Sequence, residues 1–394
     1  MTPPVVIVGA GVAGCVAART LVETGVDVLV LEAGPGPARP AVLDSIDHLR
    51  SAEAADWWFP DLPRRGRGVG GSSSVNGMVL DAIHPLDMKR WGWDDALEDQ
   101  RWLLERWPHT HIAAGPFTSA IGSCVQEGFP SAAATHRSGW SGWAPLSLAF
   151  DGSKRWSAYD AFLTPRSTAE SEVLLRTSAA VAKVLVDGSN PVVELASGEL
   201  IDASLVLIAA GTTGSPALLV NSGLISADDV AEPLNHASTA IIVELDERLQ
   251  NHQPLSAPSS HMLRTVTGLT ENTVDLQMLF LDHTGADEAG RRHGAVIVSA
   301  LEPDRQKVLI AGITQALHWL RSIDGVLSVA LSDDPSPVQH HACTLTETPR
   351  AIPGVRVIDA SVLPALPHTN PMLSVAIGAR RAARSSISGV ERRP

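Results

Sequence analysis

Cysteine is scarce in this chain. Its three cysteines, Cys15, Cys124 and Cys343, stand too far apart for a metal knuckle and are odd in number for a disulfide framework, which fits a reducing cytoplasm. Long apolar runs are missing too. No stretch approaches the ~20 residues that cross a bilayer, so no transmembrane segment is expected. The first residues carry no basic region, and their apolar stretch reads as a fold element rather than a signal peptide. Positive charge is short as well. The 30 Lys and Arg stand against 43 Asp and Glu, a formal net charge of −13, which argues against a nucleic-acid partner. The one basic cluster, Arg380, Arg381, Arg384, Arg392 and Arg393, reads as a solvated helix end. What remains is the composition of a globular protein, 44% hydrophobic and 19% charged, with 394 residues for one large or two ordinary domains.

The chain is organised around its beginning. Residues 4–10 form a short β-branched run, followed at once by Gly9-x-Gly11-x-x-Gly14 and an Ala/Val-rich helical stretch at 16–21. A second apolar strand, 26–31, ends in Glu32. Each part of this βαβ unit has a use. Gly9 permits the tight turn, Gly11 admits a pyrophosphate, Gly14 lets helix and strand pack closely, and the helix N-terminus faces phosphate. Glu32 stands where a carboxylate takes ribose hydroxyls, which favours FAD or NAD and disfavours NADP.

Further on, residues 65–78 are dense in glycine and serine, a composition that lets backbone lie flat against a planar group or phosphates. Nine of the ten tryptophans lie between positions 57 and 156, and a Trp-rich core explains them better than a pocket. Residues 87–107 read as one or two helices, and 109–150 show no clear pattern. Short β-rich runs at 173–177, 181–186, 192–196 and 205–210 form a meander that returns to a buried strand. That strand runs into a small-residue turn, Ala210-Gly211, and a helix over 216–222. Runs at 239–245, 274–281, 295–301 and 308–310 are strand candidates, with a helix over 313–323. A terminal helix closes the chain.

Four stretches, in order, resemble the glucose–methanol–choline (GMC) oxidoreductases. They are the βαβ unit with Glu32-Ala33-Gly34, then Gly70-Gly71-Ser72-Ser73-x-x-Asn76-Gly77-Met78, then Ala209-Ala210-Gly211-x-x-Gly214-Ser215-Pro216, and finally Val357-Ile358-Asp359-Ala360-Ser361 followed by Asn370-Pro371. The resemblance implies an α/β fold. A Rossmann-like FAD-binding domain of the glutathione-reductase-like kind, from residues 1–80, 151–225 and 338–394, is expected beside a smaller α+β substrate domain from 81–150 and 226–337. It implies FAD, with Gly70, Gly71, Ser73, Asn76, Gly77 and Met78 along the flavin and pyrophosphate. It also implies Val181 at the adenine and Asp359-Ala360 at the phosphate or ribityl chain, with Ala33, Ala210, Gly211, Asn370 and Pro371 completing the cofactor shell. Some members attach FAD through a histidine, but the matching position here is Val75, so FAD is expected without a covalent bond.

The activity implied is oxidation of a CH–OH group to a carbonyl, by hydride transfer to flavin N5 with a histidine base. The family pattern H-x-x-G-T is similar to His340-His341-Ala342-Cys343-Thr344, and the second partner falls on Asn370. His340 is therefore expected as base and Asn370 as the group that orients the substrate oxygen. Cys343 replaces the glycine and Leu345-Thr346-Glu347 alters the ending, which keeps His341 and His368 in play. The small-molecule alcohol, the electron acceptor (oxygen, a quinone or a redox carrier) and the oligomeric state stay open. A narrower similarity is to short bacterial members associated with the mycofactocin redox system. A lyase of the same fold, or a flavin-binding protein without catalysis, are the alternatives.

Overall fold

The computed structural model describes residues 2–44, 52–59, 65–128, 141–165, 167, 172–186, 188, 190–251, 259–269, 274–282, 293–301, 305–333, 340–345 and 352–386. The chain starts with β1 (Val5–Val8), α1 (Val12–Val22) and β2 (Val28–Leu31). All four residues of β1 are buried, because it lies inside a parallel sheet covered on both faces. Two turns of close packing explain the glycines. A Cβ on Gly9, whose φ is +102°, would lie 2.5 Å from the Ala209 carbonyl oxygen, and one on Gly14 would lie 1.9 Å from the Gly9 carbonyl oxygen. Neither space admits a side chain.

After the glycine-rich stretch come α2 (Pro85–Trp91), α3 (Ala96–Arg106), α4 (Pro116–Gly128) and β3 (Gly142–Pro145). Of the one or two helices expected over 87–107, two are present, α2 and α3. Next stand β4 (Leu174–Arg176), β5 (Val181–Val186), β6 (Pro191–Leu195), β7 (Leu200–Asp202) and β8 (Leu205–Ile208), the meander and buried strand expected there. Then follow α5 (Gly211–Asn221), β9 (Ala237–Leu245), β10 (His261–Thr265), β11 (Leu276–Leu281), β12 (His293–Ala300) and α6 (Gln306–Ser322). The described chain closes with β13 (Val326–Leu331), β14 (Val355–Val357) and α7 (Pro371–Ser386).

Three sheets result. A five-stranded parallel sheet has the order β14-β8-β1-β2-β4, β5-β6-β7 form a small antiparallel sheet, and β13-β9-β12-β11-β10-β3 form a six-stranded antiparallel one. The parallel sheet carries α1, on which α7 packs through a buried stripe that includes Leu373, Ala376, Ile377 and Ala383, the i, i+3, i+4 spacing of one helical face. The large sheet is covered on its outer face by α6 and α4, around Phe117, Ile241, Val298, Ala316 and Leu320.

Two expectations need correction. Residues 308–310, expected as a strand, belong to the first turns of α6. A short apolar run reads either way, and here the buried positions Val308, Gly312, Ala316 and Trp319 continue it at helical spacing. The basic end of α7 is not merely solvated, since Arg380 and Arg384 bind the buried carboxylate of Asp99 on α3 at 2.8 and 3.0 Å. Arg380 also stacks over Trp102, 3.8 Å from the ring centre; Arg392 and Arg393 lie outside the described residues. Helices α2 and α3 pack on the core of the parallel sheet through Trp91, Ala96, Leu103 and Trp107. The Trp-rich core is real: Trp57 and Phe162 are buried in the same cluster.

Candidate active site

Three glycine-bearing loops meet at Glu32, which is buried at the end of β2. Its carboxylate accepts backbone N–H bonds from Ala10 (2.8 Å), Gly34 (2.8 Å) and Gly68 (3.0 Å). A carboxylate offers about four acceptor positions, so one remains. The N-terminus of α1 at Gly11 has no side-chain cap and no acid in its first turn, which leaves its positive dipole end to another partner. A Cβ on Gly71 would lie 2.8 Å from the Gly11 Cα, so both walls of this cradle are bare backbone.

The 70–78 stretch is held from beneath by a residue that the sequence reading missed. Arg155, fully buried, donates to the carbonyls of Leu43 (2.9 Å), Ser73 (3.2 Å) and Asn76 (2.6 Å). Burial, with Arg39 nearby, pushes its guanidinium down to about 9. Ser73 Oγ donates to Gly70 O at 2.6 Å and accepts from Ala158 N at 2.8 Å. Asn76 Oδ1 accepts from Met78 N at 2.9 Å, while its Nδ2 meets Met372 Sδ at 3.2 Å. Met78 itself is buried with φ +63°, and Val75 is buried in the same core.

The Asp359 side chain is bonded within the protein through both carboxylate oxygens. Its Oδ1 accepts from Ser361 N (2.9 Å) and Oγ (2.6 Å), its Oδ2 from Gly211 N (2.8 Å) and Ser215 Oγ (2.5 Å). All four acceptor positions are taken, so this side chain clasps the β8–α5 turn to the 360–362 turn. Ala360 turns its carbonyl to Cys343 N at 2.9 Å. Helix α5 starts at Gly211, five residues before the expected Pro216. Proline offers no N–H to Thr212 O, and the Thr344 hydroxyl takes that carbonyl at 2.6 Å instead.

Cys343 has φ +60°, the backbone region where glycine is at ease and a side chain costs about 1–2 kcal/mol. Cys343→Gly is accordingly expected to raise unfolding stability by about 1 kcal/mol, to be read as a higher urea midpoint; an unchanged or lower midpoint would show that the thiol's packing outweighs the strain.

The expected base sits in a chain of imidazoles. His236 Nε2 lies 2.8 Å from the Pro367 carbonyl, and its Nδ1 lies 3.0 Å from His340 Nδ1. A carbonyl only accepts, so the network assigns the proton to His236 Nε2 and makes its Nδ1 an acceptor. His340 Nδ1–H donates to it, which leaves the lone pair on His340 Nε2. His340 N is fixed by Asn235 Oδ1 at 2.8 Å. His341 Nδ1 faces the Arg65 guanidinium, which can only donate, so His341 presents an N–H elsewhere. His368 Nδ1 is tied to the buried Asp87 at 2.6 Å. His340 and His368 are thus both held with the proton on Nδ1 and the lone pair on Nε2. Burial, then His236, Arg65 and His341, hold the pKa of His340 well below 6.5.

Asn370 donates through N and Nδ2 to Asp81 Oδ2, both at 3.1 Å. Asp81 in turn is paired with Arg264, whose guanidinium also meets Gln277 Oε1 at 2.8 and 3.1 Å. All four side chains are buried. Among the remaining expected residues, Val181 opens β5 opposite Leu195, Ala33 passes its carbonyl to Arg67 at 3.2 Å, and Pro371 starts α7.

Two buried histidines make the fold acid-sensitive. Burial lowers both His84 and His236 from 6.5 to about 4. Below pH 6.5 the unfolded chain takes up these protons and the folded one does not, so stability is complete above that pH and is lost as pH falls toward 4. Each site costs up to about 1.4 kcal/mol per pH unit in that window. Denaturant titrations at pH 7, 6 and 5 should show a steepening loss; equal stability at all three would contradict it.

The chain matches the family model of the GMC oxidoreductases over residues 5–253. The chain belongs to this family. This GMC oxidoreductase is 29% identical over 293 residues to an oxygen-dependent choline dehydrogenase of Photobacterium profundum, covering 63% of the chain and 51% of that protein. It is 28% identical over 268 residues to a pyridoxine 4-oxidase of Microbacterium luteolum, covering 56% and 52%. It spans about half the length of these curated relatives. In fold it is similar to a crystal structure of pyridoxine 4-oxidase (TM-score 0.73, 18% identity, 99% of this chain and 100% of that one) and to formate oxidase (TM-score 0.74, 15%, 98% and 99%). FAD is the cofactor of GMC oxidoreductases, and the residues here fit it: an uncapped helix start, a glycine-walled cradle and a buried acid with one acceptor position left. Among the described residues no helix is long and apolar enough to cross a membrane.

Proposed function

We propose that this GMC oxidoreductase oxidises the CH–OH group of a small alcohol to a carbonyl, with His340 as base and Asn370 orienting the reacting oxygen. FAD, held without a covalent bond along Gly9, Gly11, Gly14, Glu32 and the 70–78 stretch, supplies the hydride acceptor when bound. The observation that carries the reading is the Pro367–His236–His340 chain, which fixes the tautomer so that His340 Nε2 offers a lone pair. That nitrogen takes the hydroxyl proton. Asn370, locked by Asp81, contributes to holding the oxygen. The lowered pKa keeps His340 unprotonated at neutral pH, as a base must be.

The same reading divides the chain into a dinucleotide half and a substrate half built on the large sheet, with 81–107 moved to the former on the strength of its packing. Three free thiols suit a reducing cytoplasm. The test is an anaerobic visible spectrum of the purified protein before and after alcohols are added. Bleaching of an oxidised flavin band by one class of alcohol supports the proposal, and readmitting air then separates oxygen from other electron acceptors. A yellow protein that no alcohol bleaches would shift the reading to a lyase or a binding protein. A colourless protein that cannot be reconstituted with FAD would refute it.

A further inference from the structure

His236 stands opposite His340 for a reason that lies in the backbone. Leu234 and Ala342 exchange both of their backbone bonds, each at 3.0 Å, in an antiparallel bridge. Two residues after Leu234 is His236, and two residues before Ala342 is His340, so the register sets these two against each other. Opposed residues of antiparallel segments point to one side. The rings meet edge to face, with centroids 5.2 Å apart, and the two Nδ1 atoms lie 3.0 Å apart. The bond from His340 N to Asn235 Oδ1, at 2.8 Å, pins the pairing from the other side of the turn. His236 is 2% exposed, so a substrate meets His340 and reaches His236 only through it.

The surroundings of the two rings differ in sign. The charged neighbours of His340 are His236, Arg65 and His341, and all of them oppose a further positive charge. His236 has His368 and Arg264 against it, but Arg264 is already neutralised by Asp81. Two features favour the charged form of His236: the Pro367 carbonyl, which accepts its Nε2–H at 2.8 Å, and the buried carboxylate of Asp87. Asp87 is held in place by His368, whose N and Nδ1 lie 2.8 and 2.6 Å from its oxygens. A proton arriving at the pair meets only repulsion on His340 and partial compensation on His236. In a buried site that difference is weakly screened.

We propose that His236 is a second proton carrier, and that His340 passes its Nδ1 proton to His236 Nδ1 as it takes the alcohol proton on Nε2. The alcohol O–H bond breaks as the His340 Nε2–H bond forms. The His340 Nδ1–H bond breaks as the His236 Nδ1–H bond forms. His340 ends neutral in its other tautomer, and His236 ends as the imidazolium. The hydride leaves carbon with both electrons of its bond for FAD, so the alcohol is oxidised, the flavin is reduced and no further reactant is needed. The inference rests on the assignment of His340 as base, and gives His236 a chemical task beyond that of fixing a tautomer.

His236→Gln separates the two tasks. Its carbonyl oxygen can accept the His340 Nδ1–H bond and keep the tautomer, but it cannot take the proton. With a relay, kcat for flavin reduction by alcohol should fall by about 10²-fold in this variant, with KM and the spectrum of the bound flavin unchanged. The dependence of that rate on the heavy-water fraction should be curved in the wild type, because two protons move, and linear in the variant, where one moves. Imidazole nitrogen NMR gives a readout without turnover: His340 should carry its proton on Nδ1 in both proteins. Full rate in His236→Gln would overturn the relay and leave His340 standing as base. So would a linear heavy-water dependence in the wild type, or a wild-type His340 protonated on Nε2, and neither of these needs a variant to fold. Full activity in His340→Asn would instead bring down the base assignment itself.

Discussion

His340→Asn should lower kcat/KM for the preferred alcohol by about 10²–10⁴-fold, the usual worth of a positioned base, while the flavin stays bound. The side chain can still donate to His236 but has no lone pair of imidazole basicity to offer. His341→Asn should change the rate little, because Arg65 already occupies its acceptor nitrogen. The pH profile of the wild type gives a second handle. Burial and the neighbouring His236 hold His340 unprotonated, so the acid limb of kcat/KM should fall below the ordinary histidine value of 6.5. His236→Phe, which removes the acceptor of the Nδ1 proton, should displace that limb and lower kcat without loss of flavin. Full activity in His340→Asn, with loss in His341→Asn, would reverse the assignment.

Asp81→Ala should be the most damaging single change to stability, at about 3–5 kcal/mol. It strands Arg264, which is 3% exposed, with only Gln277 left as its acceptor among the bonds described. A buried cation that loses its partner costs far more than the pair contributes, since desolvation offsets most of the mutual attraction. The double replacement Asp81→Leu with Arg264→Met should therefore recover most of the loss, as measured by urea unfolding. If the double variant is as unstable as Asp81→Ala, the damage comes from packing and not from the stranded charge. Activity would separate the two roles further, because Asn370 loses its anchor in both variants.

What could be read from the sequence follows the range of the forces involved. The β1–α1–β2 unit was legible because much of its constraint is local: Gly14 answers to the Gly9 carbonyl of the same turn, although Gly9 itself answers to Ala209 far along the chain. The antiparallel runs at 239–245, 274–281 and 295–301 were legible because their alternation and apolar length survive on the page. β10 was not, since His261-Met262-Leu263-Arg264-Thr265 has the composition of a surface segment until Asp81, 183 residues away, neutralises its arginine. β13, an edge strand with mostly exposed residues, shows little pattern. Similarly, the proposal of His340 and Asn370 starts from motif, but the contacts of His236, Asp81 and Arg155 with them or with the 70–78 loop act across 79 to 289 residues of sequence. Motif alone also does not show that the Asp359 side chain clasps two turns, since its bonds to Gly211 and Ser215 reach across more than 140 residues of sequence.

The knot at Glu32 bears on how such a protein could change its cofactor. The acid expected to meet the adenosine ribose also ties together the Gly9 turn, its own turn and the Gly68 turn through three backbone donors. A lineage, or an engineer, that replaced it with a small or basic residue to accept NADP would release three buried N–H groups in the same stroke. Nucleotide preference and the integrity of the nucleotide's cradle are inherited together here, and switching one calls for rebuilding both of the loops that meet it.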